Sequence, residues 1–432
     1  MKGKKFLLLM SCLTFSLTTI YSQNKLQLSL SDAKSYALSY NRTLQVSGLA
    51  VQKAEAAKWQ AIATMLPHVD ATLGYTNCLG YEMNFNIMGQ SISTPVDPTG
   101  TLNVKATMAF SGMQIVGVQL SKLAAEMSKL NKNIGDLDVK ANVTTAYFAV
   151  LVAEESKRLI EGSKENLQKL HETTAKMYEV GMAEQTAVDQ LEVQVGLVEN
   201  EVKKTERNIE LAYNALRLVL GSDNTQFELT ETLGNFLKNN DVYATATSEF
   251  NINQNYNVQL LNKNIELSKK QLNMKRMEYA PTLALFYQHA EIKYFGNEPM
   301  MRSTVPNTVG AQLNIPIFSS GERLSKVQQA KFDVKSAELI KQNAIEGLQV
   351  QEKQLRFLLK SAIETYELQK KNVAVSERIF KNTVQKYELG TVSSTELTTI
   401  NNNLISAQGS YIGALMELLT AQVNLQKLLN QL

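Results

Sequence analysis

Side chains that most often carry chemistry are few in this sequence and lie far apart. The three histidines stand at 68, 171 and 289, and no Cys, Asp or Glu near them falls at a metal-ligand spacing. No metal centre is expected. Glu154 and Glu155, like the other helical glutamates, sit among lysines at helical spacings, which is the pattern of a solvated surface. There is no nucleophile elbow, phosphate loop or dinucleotide fingerprint, so catalysis has no visible seat and no cofactor is expected. Trp59 reads as packing. Two short segments do recur: Tyr178-Glu179-Val180-Gly181 and Tyr387-Glu388-Leu389-Gly390. Each ends in a glycine, the residue that tolerates a tight turn between helices.

The elements that must hold these turns follow from patterning. Met1-Lys2-Gly3-Lys4-Lys5, the apolar run Phe6 to Ile20 and Tyr21-Ser22-Gln23 have the order of a secretory signal over residues 1–23. Leu9-Met10-Ser11-Cys12 loosely resembles a lipobox that would acylate Cys12, but the apolar run continues well past it. Lys2, Lys4 and Lys5 account for the whole formal charge of +3, so the mature chain is near neutral and points to no nucleic-acid partner. Without Cys12 the only thiol is Cys78, and no intrachain disulfide can form. Beyond the leader the longest apolar run, about Tyr147 to Ala153, is far short of the roughly 20 residues of a membrane-spanning helix. An exported chain of this kind is periplasmic, secreted, or an outer-membrane β-barrel.

Residues 31–65 are Ala-, Lys- and Gln-rich at helical spacing, with Ser31 as the expected N-cap and Pro67 as the stop. The period then changes to two. Val69, Ala71, Leu73 and Tyr75 alternate with His68, Asp70, Thr72 and Thr76, and alternation returns over 101–110 after a Gly- and Pro-rich loop at 77–100. A hairpin over about 67–111 is expected, with strands of transmembrane length. From about 113 to 180 no strong breaker occurs, which predicts a helix on the order of 100 Å long. A second helix over 183–220 carries Val188, Leu191, Val195, Val198, Val202, Thr205, Ile209, Ala212, Leu216 and Val219, a coiled-coil seam. Residues 222–250 read as an irregular connector beside the helices.

The remainder repeats this plan. Asn255-Tyr256-Asn257-Val258-Gln259 echoes Asn41-Arg42-Thr43-Leu44-Gln45, Pro281 echoes Pro67, Phe318 echoes Phe110, and the Gly390 turn echoes the Gly181 turn. The chain is thus a tandem of 24–221 and 251–432, with helix-to-strand junctions at Pro67 and Pro281. The second hairpin, about 281–317, is expected from 282–295 and from the alternation Val309, Ala311, Leu313, Ile315, Ile317, with a short loop near 296–304. Four strands cannot close a barrel, since outer-membrane barrels begin at eight, so several chains must contribute. Three copies would supply twelve strands above a ring of long helix pairs.

The tandem repeat, LPHVDATLGY at 66–75, LNIPIFSSGER at 313–323, YEVG at 178–181 and YELG at 387–390, in this order and spacing, resembles the TolC family of outer-membrane efflux proteins over the whole mature chain. The resemblance implies a mainly α fold with a β-barrel portion: a homotrimer with a 12-stranded barrel in outer-membrane lipid, an α-helical barrel extending into the periplasm and a belt around its middle. It implies a passive channel, not an enzyme, in a tripartite efflux or type I secretion system. Cargo would arrive from an inner-membrane pump of RND, ABC or MFS type through a periplasmic adaptor. The Gly181 and Gly390 turns match the tips that meet the adaptor, although both glycines serve equally as plain turn closers. Glu396 falls on the first acidic position of the family's entrance ring and Thr399 on the second, while Ala187 replaces the acid of the first repeat. One ring of three carboxylates would give a weaker cation preference than a fuller ring. The alternative for Glu396 is a solvated helix face. Tyr178 and Tyr387 are latch candidates at the entrance or, equally, packing residues. The rival from another class is a periplasmic coiled-coil structural or adaptor protein outside the outer membrane, against which the tandem repeat argues.

Overall fold

The computed structural model describes residues 26–222, 226–239, 242–296 and 306–432. The expected leader, with Cys12, and most of the loop expected at 296–304 lie outside these residues. Strand β1 (Leu26–Leu28) leads into helix α1 (Leu30–Tyr40). The cap of α1 is Ser29 and not Ser31: the Ser29 hydroxyl accepts the Asp32 N–H at 3.2 Å and the Asp32 carboxylate accepts the Ser29 N–H at 3.3 Å. Ser29 has an acid three residues on and Ser31 has Lys34, so only Ser29 can form the reciprocal box. The single helix expected over 31–65 is two, because Asn41 ends α1 and its side chain accepts the Thr43 N–H at 2.9 Å to start α2 (Arg42–Ala63).

Strand β2 (His68–Thr76) follows Pro67, and the segment expected as plain loop contains a further hairpin, β3 (Glu82–Ile87) and β4 (Gln90–Pro95). Its two-residue turn places Met88 at φ +54° and Gly89 at +86°, the left-handed pair that suits the twist of a hairpin. Met-Gly is not the usual Asn-Gly signature, which hid the turn. Next come β5 (Thr99–Phe110), α3 (Gly112–Glu179) and α4 (Gln185–Leu220). The 68 residues of α3 extend about 100 Å. The connector is less irregular than its sequence suggests. It holds β6 (Phe227–Leu229), which pairs in parallel with β1, then α5 (Leu233–Asn239) and α6 (Val242–Thr247). After a 3₁₀ turn the second repeat runs α7 (Tyr256–Met277), β7 (Thr282–Tyr294), β8 (Asn307–Asn314), α8 (Glu322–Glu388) and α9 (Ser394–Leu428). The expected strand to Ile317 stops at Asn314, because Pro316 has no N–H for a ladder.

The chain forms two compact units. The first comprises the residues up to Leu44, Asp136–Glu249 and Glu352–Leu432. Its main core joins the connector to the helices around Tyr147, which is fully buried and donates to the Leu28 carbonyl at 3.2 Å and to Glu231 at 3.1 Å. Burial, with the Glu231 carboxylate beside it, pushes the Tyr147 phenol well above its ordinary pKa. Arg356 fastens the connector from α8, donating at 2.6 Å to the carbonyls of both Ala246 and Ser248 at the end of α6. All ten expected seam residues of α4 are buried or half-buried, which fixes α4 lengthwise against its neighbours.

The second unit comprises Gln45–Gly135 and Phe250–Gln351. It contains one antiparallel sheet in the order β2-β5-β7-β8, so the hairpins of the two repeats join edge to edge through β5 and β7. Each junction is clamped by a residue in the first turn of the following long helix. Gln114 donates to the Thr64 carbonyl at 2.8 Å, and the buried Arg323 donates to the Pro316 carbonyl at 2.9 Å while lying 5.1 Å from the Tyr279 ring. Pro67 and Pro281 each stand directly before the strand, where the missing N–H costs nothing.

Candidate functional site

The candidate residues fall on two surfaces, one in each unit. In the helical unit α3 and α4 meet at the Gly181 turn, and α8 and α9 at the Gly390 turn. The glycines adopt φ +75° and +71°. Both turns close alike: Gly181 N–H donates to the Tyr178 carbonyl at 2.9 Å and Met182 N–H to Met177 at 2.7 Å, while Gly390 donates to Tyr387 at 2.9 Å and Thr391 to Lys386 at 3.0 Å. This paired pattern satisfies helix-end carbonyls and requires a left-handed residue at the glycine. Nothing lies within 4 Å of where a Cβ would stand on either glycine, so backbone conformation and not crowding demands it. Gly390→Ala is therefore expected to destabilise by about 1–2 kcal/mol. Gly162→Ala, equally unobstructed but inside α3, is expected to stabilise by up to about 1 kcal/mol. Thermal melts followed by helical circular dichroism should show the two shifts with opposite sign.

All four helices share one apolar cluster near the turns. Leu167 and Leu170 come from α3, Leu191 and Val198 from α4, Phe380 and Tyr387 from α8, and Leu397 and Leu404 from α9. The two tyrosines part company here. Tyr387 is only 6% exposed and its hydroxyl accepts from Thr174 at 3.2 Å, whereas Tyr178 is 45% exposed. Glu396 is exposed in the first turn of α9, its N–H donating to the Ser393 cap at 3.2 Å. Ala187, its counterpart in α4, is buried, so a carboxylate there would have to leave water. Thr399 is exposed, and its hydroxyl donates back to the Thr395 carbonyl at 2.9 Å. Sequence reading passed over Asn401. It is fully buried between Leu397 and Leu404 with neither end of its amide partnered within the protomer. Its only sequence signal was a polar residue on an otherwise apolar stripe, a feature that can set helix register. Glu154, read as a solvated charge, accepts from the Tyr213 hydroxyl at 2.7 Å.

In the sheet unit the cross-strand register assigns every side chain to one of two faces, because opposed residues share a face. One face runs Leu73–Leu102–Glu291, Ala71–Val104–His289–Asn307, Val69–Ala106–Tyr287–Val309, Met108–Leu285–Ala311 and Phe110–Leu283–Leu313. Apart from Glu291, His289 and Asn307 in the two rows toward the β3–β4 hairpin, it is an apolar band. At the end of the sheet nearer the β3–β4 hairpin it meets Tyr75 and Phe295, whose rings stand 5.8 Å apart, with Lys293 5.6 Å from Phe295. Aromatic rings beside a snorkelling lysine suit a membrane–water boundary. The other face holds His68, Asp70, Thr72, Thr101, Asn103, Lys105, Thr107, Gln288, Thr308, Gln312 and Asn314. Among the described residues no helix is long and apolar enough to cross a membrane.

Both repeats match one family model, described as outer membrane efflux protein, over residues 34–222 and 252–431. The chain belongs to the outer membrane efflux protein family. Outer membrane protein TolC of Salmonella enteritidis is 23% identical over 283 residues, a match that covers 63% of this chain and 56% of that protein. The chain thus spans little more than half the length of this curated relative. The fold is also that of CusC, with a TM-score of 0.75 at 15% identity over 96% of this chain and 95% of CusC. The CmeC outer membrane channel of Campylobacter jejuni superposes with a TM-score of 0.70 at 15% identity, covering 93% of this chain and 85% of CmeC. The fold is therefore the mainly α, TolC-like one, and family and fold are those of channel proteins and not of enzymes. Membership places the outer membrane efflux protein at the cell outer membrane.

Proposed function

We propose that this outer membrane efflux protein is the passive exit duct of a tripartite efflux or type I secretion system, built from three copies of the chain. One observation carries the reading: a four-stranded antiparallel sheet with an apolar and a polar face, whose outer strands β2 and β8 have no further strand beside them among the described residues. In lipid every edge N–H and C=O must be paired, so the sheet cannot enter a membrane alone. Joining β8 of one copy to β2 of the next closes a 12-stranded barrel with the apolar face to lipid and the polar face around water.

The helices support side-by-side packing of copies. Phe332, Val350 and Leu368 are exposed on α8 at intervals of 18 residues, as are Leu339, Phe357 and Val375. Eighteen residues are five turns of a straight helix, so these side chains form a stripe parallel to the axis, suited to the flank of a neighbouring copy. On α4, Val193 and Leu211 repeat the same interval. The turns at Gly181 and Gly390 are the contact points for a periplasmic adaptor, which receives cargo from an inner-membrane pump of RND, ABC or MFS type. Glu396 contributes three carboxylates to the entrance. Thr399 lines it, and Tyr178 is the latch candidate left exposed.

The test is single-channel recording from the purified trimer in a planar bilayer. Wild type should form stable channels that prefer cations, and Glu396→Gln should lose most of that preference. Unchanged selectivity would remove the ring and leave the duct. A soluble protein without conductance would favour the periplasmic coiled-coil alternative.

A further inference from the structure

We infer that Asp70 and Lys105 form a charge-balanced filter in the membrane segment of the channel, holding its wall neutral so that cargo of either sign passes and selection is left to the entrance. The inference rests on the proposed duct, with the polar face of the sheet lining its lumen. On that face, among the described residues of all four strands, the acidic and basic side chains are Asp70 and Lys105. The rest are Thr, Asn, Gln, Gly and Ala, with Phe286, Ile292 and Tyr294, and one further ionisable side chain, His68, a row away. The charges of β7 that could upset this balance, Glu291 and Lys293, fall on the opposite face.

The two charges are matched in position as well as in number. Asp70 and Lys105 are direct cross-strand partners, which sets their Cβ atoms about 5 Å apart. Both are exposed, so each field reaches the water in front of the sheet. Lys105 is further located by the Phe286 ring, 6.0 Å from its Nζ. The tip of that ring lies over Gly310, where a Cβ would come within 2.4 Å of it. Any side chain larger than hydrogen at position 310 would lift the ring and move the lysine's support.

A barrel of twelve strands has a backbone radius of about 12 Å, comparable to the Debye length of about 10 Å at 0.1 M salt. Charges on its wall are felt at the axis. Three aspartates and three lysines in one row cancel there, and loss of either set leaves three like charges around the path. Screened interactions of this size change ion distribution by a small factor per sign, so the cation-to-anion permeability ratio should rise about threefold in Lys105→Gln and fall about threefold in Asp70→Asn. The exchange variant carrying Asp70→Lys and Lys105→Asp keeps the row neutral and should return to the wild-type ratio.

The measurement is the reversal potential across a salt gradient for trimers of full-length protein in a planar bilayer, all in the wild-type Glu396 background. Opposite shifts in the single variants with restoration in the exchange variant establish the filter. Normal channels with unshifted reversal potentials in the single variants overturn it while leaving the duct intact. Restoration failing in an exchange variant that conducts normally also overturns it. Absence of conductance from wild type would instead overturn the duct reading, and the filter with it.

Discussion

Val309→Lys is expected to abolish the stable trimer and remove the protein from the outer-membrane fraction, whereas Gln312→Lys, three residues further along the same strand, should leave both intact. Val309 is 82% exposed on the isolated chain and sits in the middle row of the apolar face, beside Tyr287, Ala106 and Val69. A lysine at the bilayer midplane of a barrel costs about 2–4 kcal/mol per chain, and the assembly carries the change three times. Gln312 points to the opposite, polar face, where an added charge stays in water. Membrane fractionation with unheated gel electrophoresis reads both variants. Equal tolerance would mean that the apolar face does not meet lipid, and would return weight to the periplasmic alternative.

The second large effect concerns the helix tips. Tyr387→Ala should loosen the ends of α8 and α9 by about 3–5 kcal/mol, the usual cost of emptying a buried aromatic site. The loss combines a cavity beside Phe380, Leu397 and Leu404 with a Thr174 hydroxyl left without its acceptor. Tyr178→Ala removes an exposed ring, and its stability change should stay within about 0.5 kcal/mol. Amide hydrogen exchange over residues 380–404 separates the two: fast exchange in the first, wild-type protection in the second. If both variants exchange alike, the division of roles between the tyrosines does not persist in the assembled protein.

That pair shows where sequence reasoning stops. Tyr178 and Tyr387 occupy the same place in two copies of one motif, each four residues after a Thr and followed by Glu and then Gly. Tyr387 is buried in the cluster drawn from all four helices and takes a hydrogen bond from Thr174, 213 residues away in sequence, whereas Tyr178 lies outside that cluster. Ala187 is a similar case. The repeat aligned it with Glu396, but only the packing of α4 shows that its position has left water. Asn401 escaped notice because its one signal, a polar residue on an otherwise apolar stripe, is masked by the neighbouring Asn402 and Asn403. The β3–β4 hairpin escaped because its strands are short and its turn is Met-Gly.

The long helices, the four sheet strands and the two glycine turns were legible in the sequence itself, for one physical reason. Helical and strand periodicities and left-handed turn preferences are properties of neighbouring residues, and a chain writes them locally. The alternation of Val69 to Tyr75 announced a two-faced strand before any partner strand was known. The tertiary structure alone decided the order β2-β5-β7-β8, the parallel contact of β1 with β6, the Arg356 clasp on the connector, and the opposition of Asp70 to Lys105. Each depends on groups brought together from distant parts of the chain, and no local pattern of neighbouring residues records which distant groups will meet.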